Sequence, residues 1–100
     1  MKKSEIIKKY TELYGKRPTL TLDKNLSSEE NFKIKQTTKI NQYIWTLKKQ
    51  MFIEIVEKTN QIDYSKEIVD KFTINDLMKI YHGYQYTINI QDKTYSLFQD

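Results

Sequence analysis

The sequence predicts a small, helix-rich α+β domain: an N-terminal helix, a long central helical segment and two short helices, closed by a C-terminal β-hairpin. Apolar residues recur at helical spacing through most of the chain before residue 83. Residues that favour helix caps stand where those segments begin. The last segment alternates between apolar and polar residues, as a half-buried strand does. Because no Pro/Gly/Ser-rich linker interrupts the 100 residues, we expect one domain over 1–100.

The first helix is predicted to begin at Ser4, a suitable N-cap, and to end at Tyr14. Gly15 suits the position after the last turn, and Pro18 prevents the helix from continuing. The apolar residues of this segment fall on one helical face: Ile6, Ile7, Tyr10, Leu13 and Tyr14.

Two shorter signals follow the first helix. Residues 19–22 (Thr-Leu-Thr-Leu) alternate in polarity and predict a short strand. Ser27 and Glu30 have the spacing of a capping box, in which the serine hydroxyl accepts a backbone N–H and the glutamate reaches back. This box opens the central helical segment, which extends to about Lys58.

The central segment has apolar residues on two separate arcs. The larger arc contains Ile40, Tyr43, Ile44, Leu47, Met51 and Ile55; the smaller contains Trp45, Phe52 and Val56. Such a helix either lies at the centre of the fold or offers its second side to a partner. The residues from Met51 to Val56 also fit a strand, because a short apolar run is ambiguous by periodicity alone.

Two short helices are predicted next. After a loop over 60–64, Ser65 is placed as the N-cap of a helix that reaches Phe72. Thr73 is placed as the N-cap of the second, with Asp76 at a position that favours the helix dipole. Gly83 ends that helix.

The end of the chain predicts a β-hairpin. Tyr84, Tyr86, Ile88 and Ile90 alternate with polar residues, which is typical of a strand with one buried face. A tight turn at residues 92–93 leads into a second strand over 94–98.

The composition argues against an active site. Without cysteine, the chain has no disulfide, thiolate zinc site or cysteine nucleophile. Its two glycines, Gly15 and Gly83, cannot form a phosphate-binding glycine-rich loop. The chain has a single histidine, His82, and one histidine without a second His or a Cys is a poor ligand set for a metal ion. We therefore expect no catalytic residue, no metal, no cofactor and no enzymatic activity.

Charge is unevenly distributed. Residues 1–50 contain twelve Lys/Arg and five Asp/Glu, whereas residues 51–100 contain five and eight. A basic half attracts nucleic acid or an acidic protein. The alternative is codon bias, since 16 lysines against one arginine and the absence of alanine are typical of an AT-rich genome. The same composition in a short chain is typical of proteins from phages, plasmids and other mobile elements.

The sequence gives no indication of a membrane. The longest apolar run is Met51-Phe52-Ile53, far shorter than a membrane span. The stretch from Met1 to Tyr10 is too charged for the apolar region of a signal peptide. We expect a cytoplasmic protein without a membrane partner.

Residues 65–76 resemble the first half of a helix-turn-helix, with a helix and turn that lead into a second helix over 77–82. Together with the hairpin as a wing, residues 65–98 are similar in element order to winged-helix proteins. The sequence departs from that pattern at Val69, where a small residue is usual, and at Thr73, where glycine is usual. The resemblance implies DNA binding.

Two functions from different classes follow. The leading hypothesis is a non-enzymatic binding protein, an inhibitor or modulator of the phage or mobile-element type, that acts on a protein partner. Its candidate anchors are the residues of the smaller arc of the central helix: Trp45, Phe52 and Val56. They are chosen because aromatic side chains dominate interface energetics. The alternative is a DNA-binding regulator whose phosphate contacts come from Lys33, Lys35, Lys39 and Lys79. The sequence does not determine the oligomeric state.

Overall fold

In the computed structural model, the backbone is described for residues 1–83, 86–90 and 93–97. The helical prediction is confirmed in its coarse form, because four helices occupy most of this described part of the chain. The elements in chain order are α1 (Lys3–Tyr14), α2 (Ser28–Thr59), α3 (Ile62–Asp70), α4 (Ile74–Tyr81), β1 (Tyr86–Ile90) and β2 (Lys93–Leu97).

The two strands pair antiparallel, with Tyr86 opposite Leu97 and Ile90 opposite Lys93. Ile90 is buried and joins the core. Tyr84, the Asp92 half of the predicted turn and residue 98 lie outside the described residues. The hairpin as a whole therefore stays a prediction.

Helix α1 differs from the prediction only at its start. Its N-cap is Lys2, so Ser4 lies inside the helix and does not cap it. The predicted end is confirmed: Gly15 adopts φ 84°, a conformation that favours glycine, and its N–H donates to the carbonyl of Thr11 at 2.9 Å.

Helix α2 is continuous over 32 residues. Ser27 is its N-cap, as predicted, because its Oγ accepts a hydrogen bond of 3.2 Å from the Glu30 N–H; the return bond from the Ser27 N–H to the Glu30 side chain, which would complete the predicted capping box, is not formed. The residues from Met51 to Val56 are helical, so the alternative of a strand there is wrong. The helix ends at Asn60, which adopts φ 53° in the left-handed region that asparagine tolerates better than most residues.

Helix α3 begins three residues before the predicted cap. Ser65 is fully buried inside the helix, and its hydroxyl donates to the carbonyl of Gln61. The earlier start brings Ile62 into the same apolar face as the buried Ile68 and Val69, and this tertiary packing outweighs the capping preference of Ser65.

Helix α4 begins as the sequence predicted. The Thr73 N–H donates to Oδ2 of Asp76 at 2.9 Å, and the Asp76 N–H donates to Oγ1 of Thr73 at 3.1 Å, which completes a capping box. Gly83 follows the helix with φ 96° and donates to the carbonyl of Ile80 at 3.0 Å.

The apolar core lies around the second half of α2. Every buried residue of α2 falls between Leu47 and Val56, where α1, α3 and α4 pack around it. Among the residues whose burial the structure describes, the buried apolar ones are Ile6, Tyr10, Leu47, Met51, Phe52, Ile55, Val56, Ile68, Val69, Leu77, Ile80 and Ile90. The sequence left open whether α2 is central or offers a face, and this half of it is central.

Most of the first half of α2 projects beyond this core, and Tyr43 at its end packs against it. A helix of 32 residues is about 48 Å long, close to the 52 Å longest dimension of the molecule. The radius of gyration is 15.8 Å, against about 13 Å for a compact domain of this length. We call residues 28–43 the α2 arm; none of them is buried.

Residues 15–27 run along one side of the α2 arm. Asn31 Nδ2 donates to the carbonyl of Asp23 at 3.0 Å, and Gln42 Nε2 donates to the carbonyl of Pro18 at 2.8 Å. Residues 19–22 have no regular secondary structure, so the strand predicted there is wrong. Side chains of α2 instead bind the backbone on either side of this segment, at Pro18 and Asp23.

Candidate partner-binding groove

Two of the three predicted anchors lie in the core. Phe52 is 0% exposed and Val56 is 1% exposed. The Phe52 ring lies 5.7 Å from the Tyr10 ring and 6.2 Å from the Tyr14 ring, centroid to centroid. Neither side chain is accessible to a partner in this structure, so we correct the prediction that they form a binding patch. At Phe52 the smaller arc is covered by the two tyrosine rings of α1.

The third predicted anchor, Trp45, is half-buried and joins α1 and the following loop to α2. Its ring meets the Tyr10 ring edge-on at 5.2 Å, and its Nε1 donates to the carbonyl of Gly15 at 2.9 Å. The Tyr10 hydroxyl in turn donates to the Trp45 carbonyl. Because its ring and its N–H are both engaged within the chain, Trp45 has a structural role here.

The titratable groups beside this aromatic cluster also have structural roles. Burial raises the pKa of both the Tyr10 and the Tyr14 hydroxyl, so neither acts as a base at neutral pH. Desolvation raises the pKa of the Asp70 carboxyl, but the hydrogen bonds that it accepts from Lys66 and Tyr14 lower this pKa by more, so the pKa is lowered overall. These are the properties of a surface ion pair joined to a tyrosine.

In the described part of the chain, no helix combines the length and the apolar character needed to cross a membrane. The same residues include no group of three or more His, Asp or Glu side chains placed to hold a metal ion.

A groove with a volume of about 520 Å³ lies between the α2 arm and α4. Its residues on the arm fall within one broad face of the helix, and Met78 of α4 forms the facing wall. The lining residues are Phe32, Lys35, Gln36, Lys39, Ile40, Tyr43 and Met78. The volume is within the usual range of concave ligand sites, about 300–1,000 Å³.

The groove exposes apolar side chains that the core does not use. Phe32 is 57% exposed and Ile40 is 42% exposed. On α4, Ile74 is 68% exposed and lies one turn before Met78, so it extends the apolar surface beyond the groove. Neighbouring exposed apolar residues of this kind mark binding surfaces more often than isolated ones do.

The charge at the groove is positive. Lys35 and Lys39 stand one helical turn apart, and no carboxylate is among the lining residues. From residue 31 to residue 53, α2 contains no Asp or Glu, and its lysines there are Lys33, Lys35, Lys39, Lys48 and Lys49. Among the described residues, neither Lys35 nor Lys39 has an ion-pair partner.

The lysines predicted to contact nucleic acid do not form a single stripe. At 100° per residue, Lys33 is turned by about 160° from Lys35, which places it on the far side of the arm. Lys35 and Lys39 share the groove, and Lys79 is exposed on α4, next in sequence to Met78. The structure brings together two of the four.

The groove was not predicted from the sequence. Phe32 was given no role, and Ile40 and Tyr43 were placed in the larger apolar arc of the central segment. A signal was present, because Phe32, Gln36, Ile40 and Tyr43 have the i, i+4, i+8, i+11 spacing of one helical face. What the spacing does not show is that the described part of the chain leaves Phe32 and Ile40 exposed at this end of the stripe.

Comparison with known proteins gives no family for the chain. No protein-family model matches it, and neither the curated proteins nor the solved structures contain a significant match.

Proposed function

We propose that this protein is a non-enzymatic binding module that acts through contact with another protein, and that the groove is its contact surface. The observation that carries the proposal is the exposure of Phe32 and Ile40 in a groove of about 520 Å³. These side chains stabilise little within their own chain, whereas a partner that covers them removes apolar area from water. Action as an inhibitor or modulator of the phage or mobile-element type, and a cytoplasmic location, remain predictions from the sequence.

A display selection tests whether the groove binds protein. Random peptides are selected on the immobilised protein, and the enriched clones are tested again on two variants, Ile40→Glu and Leu22→Glu. Leu22 is a matched control because it is 52% exposed, is equally apolar and does not line the groove. Both variants should keep the circular dichroism spectrum of the parent protein.

We expect most enriched clones to lose binding to Ile40→Glu and to keep binding to Leu22→Glu. A partner that covers the groove of Ile40→Glu must bury the new carboxylate, which costs free energy of desolvation, whereas the carboxylate of Leu22→Glu stays in water. If the enriched clones bind both variants equally, the groove is not the preferred protein-binding surface and the proposal is wrong.

DNA binding is a weaker candidate, because only Lys35 and Lys39 of the four predicted lysines share the groove. Anisotropy titrations with duplex and single-stranded DNA at low and near-physiological salt test it directly. Affinity that falls steeply with salt, and that is lost when both groove lysines are changed to Glu, would favour this function over the protein-binding one.

A further inference from the structure

We infer that the partner presents an acidic amphipathic helix to the groove. Its apolar stripe would pack on Phe32 and Ile40, and its carboxylates would pair with Lys35 and Lys39. The inference rests on the proposed function, since it names the occupant of the same groove. Three features support it: the charge of the rim, the length of the groove and the character of its lining.

The rim selects for acidic partners. Lys35 and Lys39 are exposed, and among the described residues no carboxylate neutralises them. The absence of Asp and Glu from residue 31 to residue 53 leaves a positive field along this part of α2. Carboxylates on a partner are attracted by that field during approach and pair with the lysines after docking.

The length of the groove fits about two to three turns of helix. Phe32 and Ile40 are eight residues apart on α2, which places them about 12 Å apart along the axis. Residues i and i+7 of a partner helix are about 10.5 Å apart, and anchors at i, i+3 or i+4, and i+7 are those by which helices dock in grooves. Lys35 and Lys39 are one turn apart, as are two glutamates at i and i+4.

The lining of the groove favours a helix over an extended segment. Beyond the first turn, the backbone N–H and C=O groups of the α2 arm are used within α2, and the groove presents side chains with a largely apolar character. An extended peptide lying here would leave its own N–H and C=O groups without partners, which is costly when they are buried. A helix satisfies its backbone internally and presents only side chains.

A second copy of the chain fits the groove less well. In a two-fold symmetric pair the same surface faces itself, so Lys35 and Lys39 of one copy would approach the same lysines of the other. Both charged residues that line the groove are lysines, and their repulsion opposes that arrangement.

Titration with designed peptides tests the inference. The probe is a labelled helical peptide with leucines at i, i+3, i+4 and i+7, flanked by glutamates. A neutral probe has every glutamate replaced by glutamine. Each is titrated against the parent protein, a Lys35→Gln/Lys39→Gln variant and a Lys8→Gln/Lys33→Gln control. The control removes the same charge from two exposed lysines that do not line the groove.

We expect the parent protein to bind the acidic probe roughly fivefold or more tightly than the neutral probe, with a preference that weakens at high salt. The Lys35→Gln/Lys39→Gln variant should lose this preference, and the Lys8→Gln/Lys33→Gln control should keep it.

Other results would overturn the inference in distinguishable ways. If both probes bind equally and Ile40→Glu abolishes the binding of both, the groove binds protein but does not prefer an acidic helix. In that case only the inference fails. If the display clones bind outside the groove, both the inference and the proposed function fail. A single-stranded oligonucleotide that binds through Lys35 and Lys39 when neither probe does would replace the helix as ligand. A dimer that Ile40→Glu dissociates would identify the occupant as a second copy.

Discussion

The Tyr14 hydroxyl donates a hydrogen bond of 2.8 Å to Oδ1 of Asp70, a residue 56 positions further along the chain. Tyr14 is the last residue of α1 and Asp70 is the last residue of α3, so the bond joins the ends of two helices that both pack on α2. The other carboxylate oxygen of Asp70 accepts from Nζ of Lys66. This polar link lies beside the aromatic cluster and holds α1 against the rest of the fold.

Removing the Tyr14 hydroxyl tests the strength of that link. We expect Tyr14→Phe to lower the free energy of unfolding by about 0.5–1.5 kcal/mol, the usual net value of one hydrogen bond. The loss should be limited because phenylalanine keeps the ring stacked 4.8 Å from Tyr10. Urea unfolding measures the change, with Tyr14→Leu as a variant that also loses the ring. If the midpoint for Tyr14→Phe does not move, the bond adds no stability.

Acid should weaken the same link. The hydrogen bonds that Asp70 accepts lower its pKa in the folded protein from the usual 3.8, despite the opposing effect of desolvation. Its contribution to stability is therefore complete above about pH 3.8 and is lost as the pH falls through the lower folded value. Asp76 acts in the same direction, because the backbone N–H and then the hydroxyl of Thr73 lower its pKa.

We expect Asp70→Asn to be less stable than the parent protein at neutral pH and to lose less stability on acidification. Thermal midpoints measured from neutral pH to about pH 2 compare the two proteins. The decline should become shallower without vanishing, since Asp76 is unchanged. Parallel curves for the two proteins would contradict the assignment to Asp70.

Phe52 should behave as a core residue. Because its side chain is fully buried among the rings of Tyr10 and Tyr14, we expect Phe52→Ala to cost about 3–5 kcal/mol. That is a large share of the stability of a domain of this size, about 5–15 kcal/mol. Thermal and urea unfolding measure it. A variant as stable as the parent would restore Phe52 as a candidate contact for a partner.

Phe32 should behave in the opposite way. It is 57% exposed on the α2 arm, so we expect Phe32→Ala to change the free energy of unfolding by less than about 0.5 kcal/mol. The comparison with Phe52→Ala separates an apolar residue kept for folding from one available to a partner. A loss above about 2 kcal/mol would show that Phe32 supports the fold, and the groove would lose its main exposed anchor.

Local signals in the sequence predicted much of the helical framework. The caps at Ser27 and Thr73 were correct because each capping hydroxyl and the backbone N–H that donates to it are only three residues apart in sequence. The ends of α1 and α4 at Gly15 and Gly83 were correct for the same reason, since both glycines adopt the positive φ that such ends require.

The predictions are wrong where contacts between residues far apart in sequence determine the local structure. Alternation over residues 19–22 predicted a strand, but the side chains of Asn31 and Gln42 bind the neighbouring backbone to α2. Ser65 has the properties of a cap, yet packing of the apolar face of α3 places it inside the helix. Periodicity separated the two apolar arcs of α2 but did not show that α1 covers Phe52 while Phe32 stays exposed.

The most direct test is an anisotropy titration of the acidic helical probe against the parent protein, Ile40→Glu and Leu22→Glu. Ile40→Glu should weaken binding by roughly tenfold or more. The new carboxylate would be buried against the leucines of the probe and would repel the glutamates that flank them. Leu22→Glu should bind like the parent. Equal affinities for all three proteins, or a larger loss with Leu22→Glu, would contradict the assignment of the groove between the α2 arm and Met78 as the binding surface.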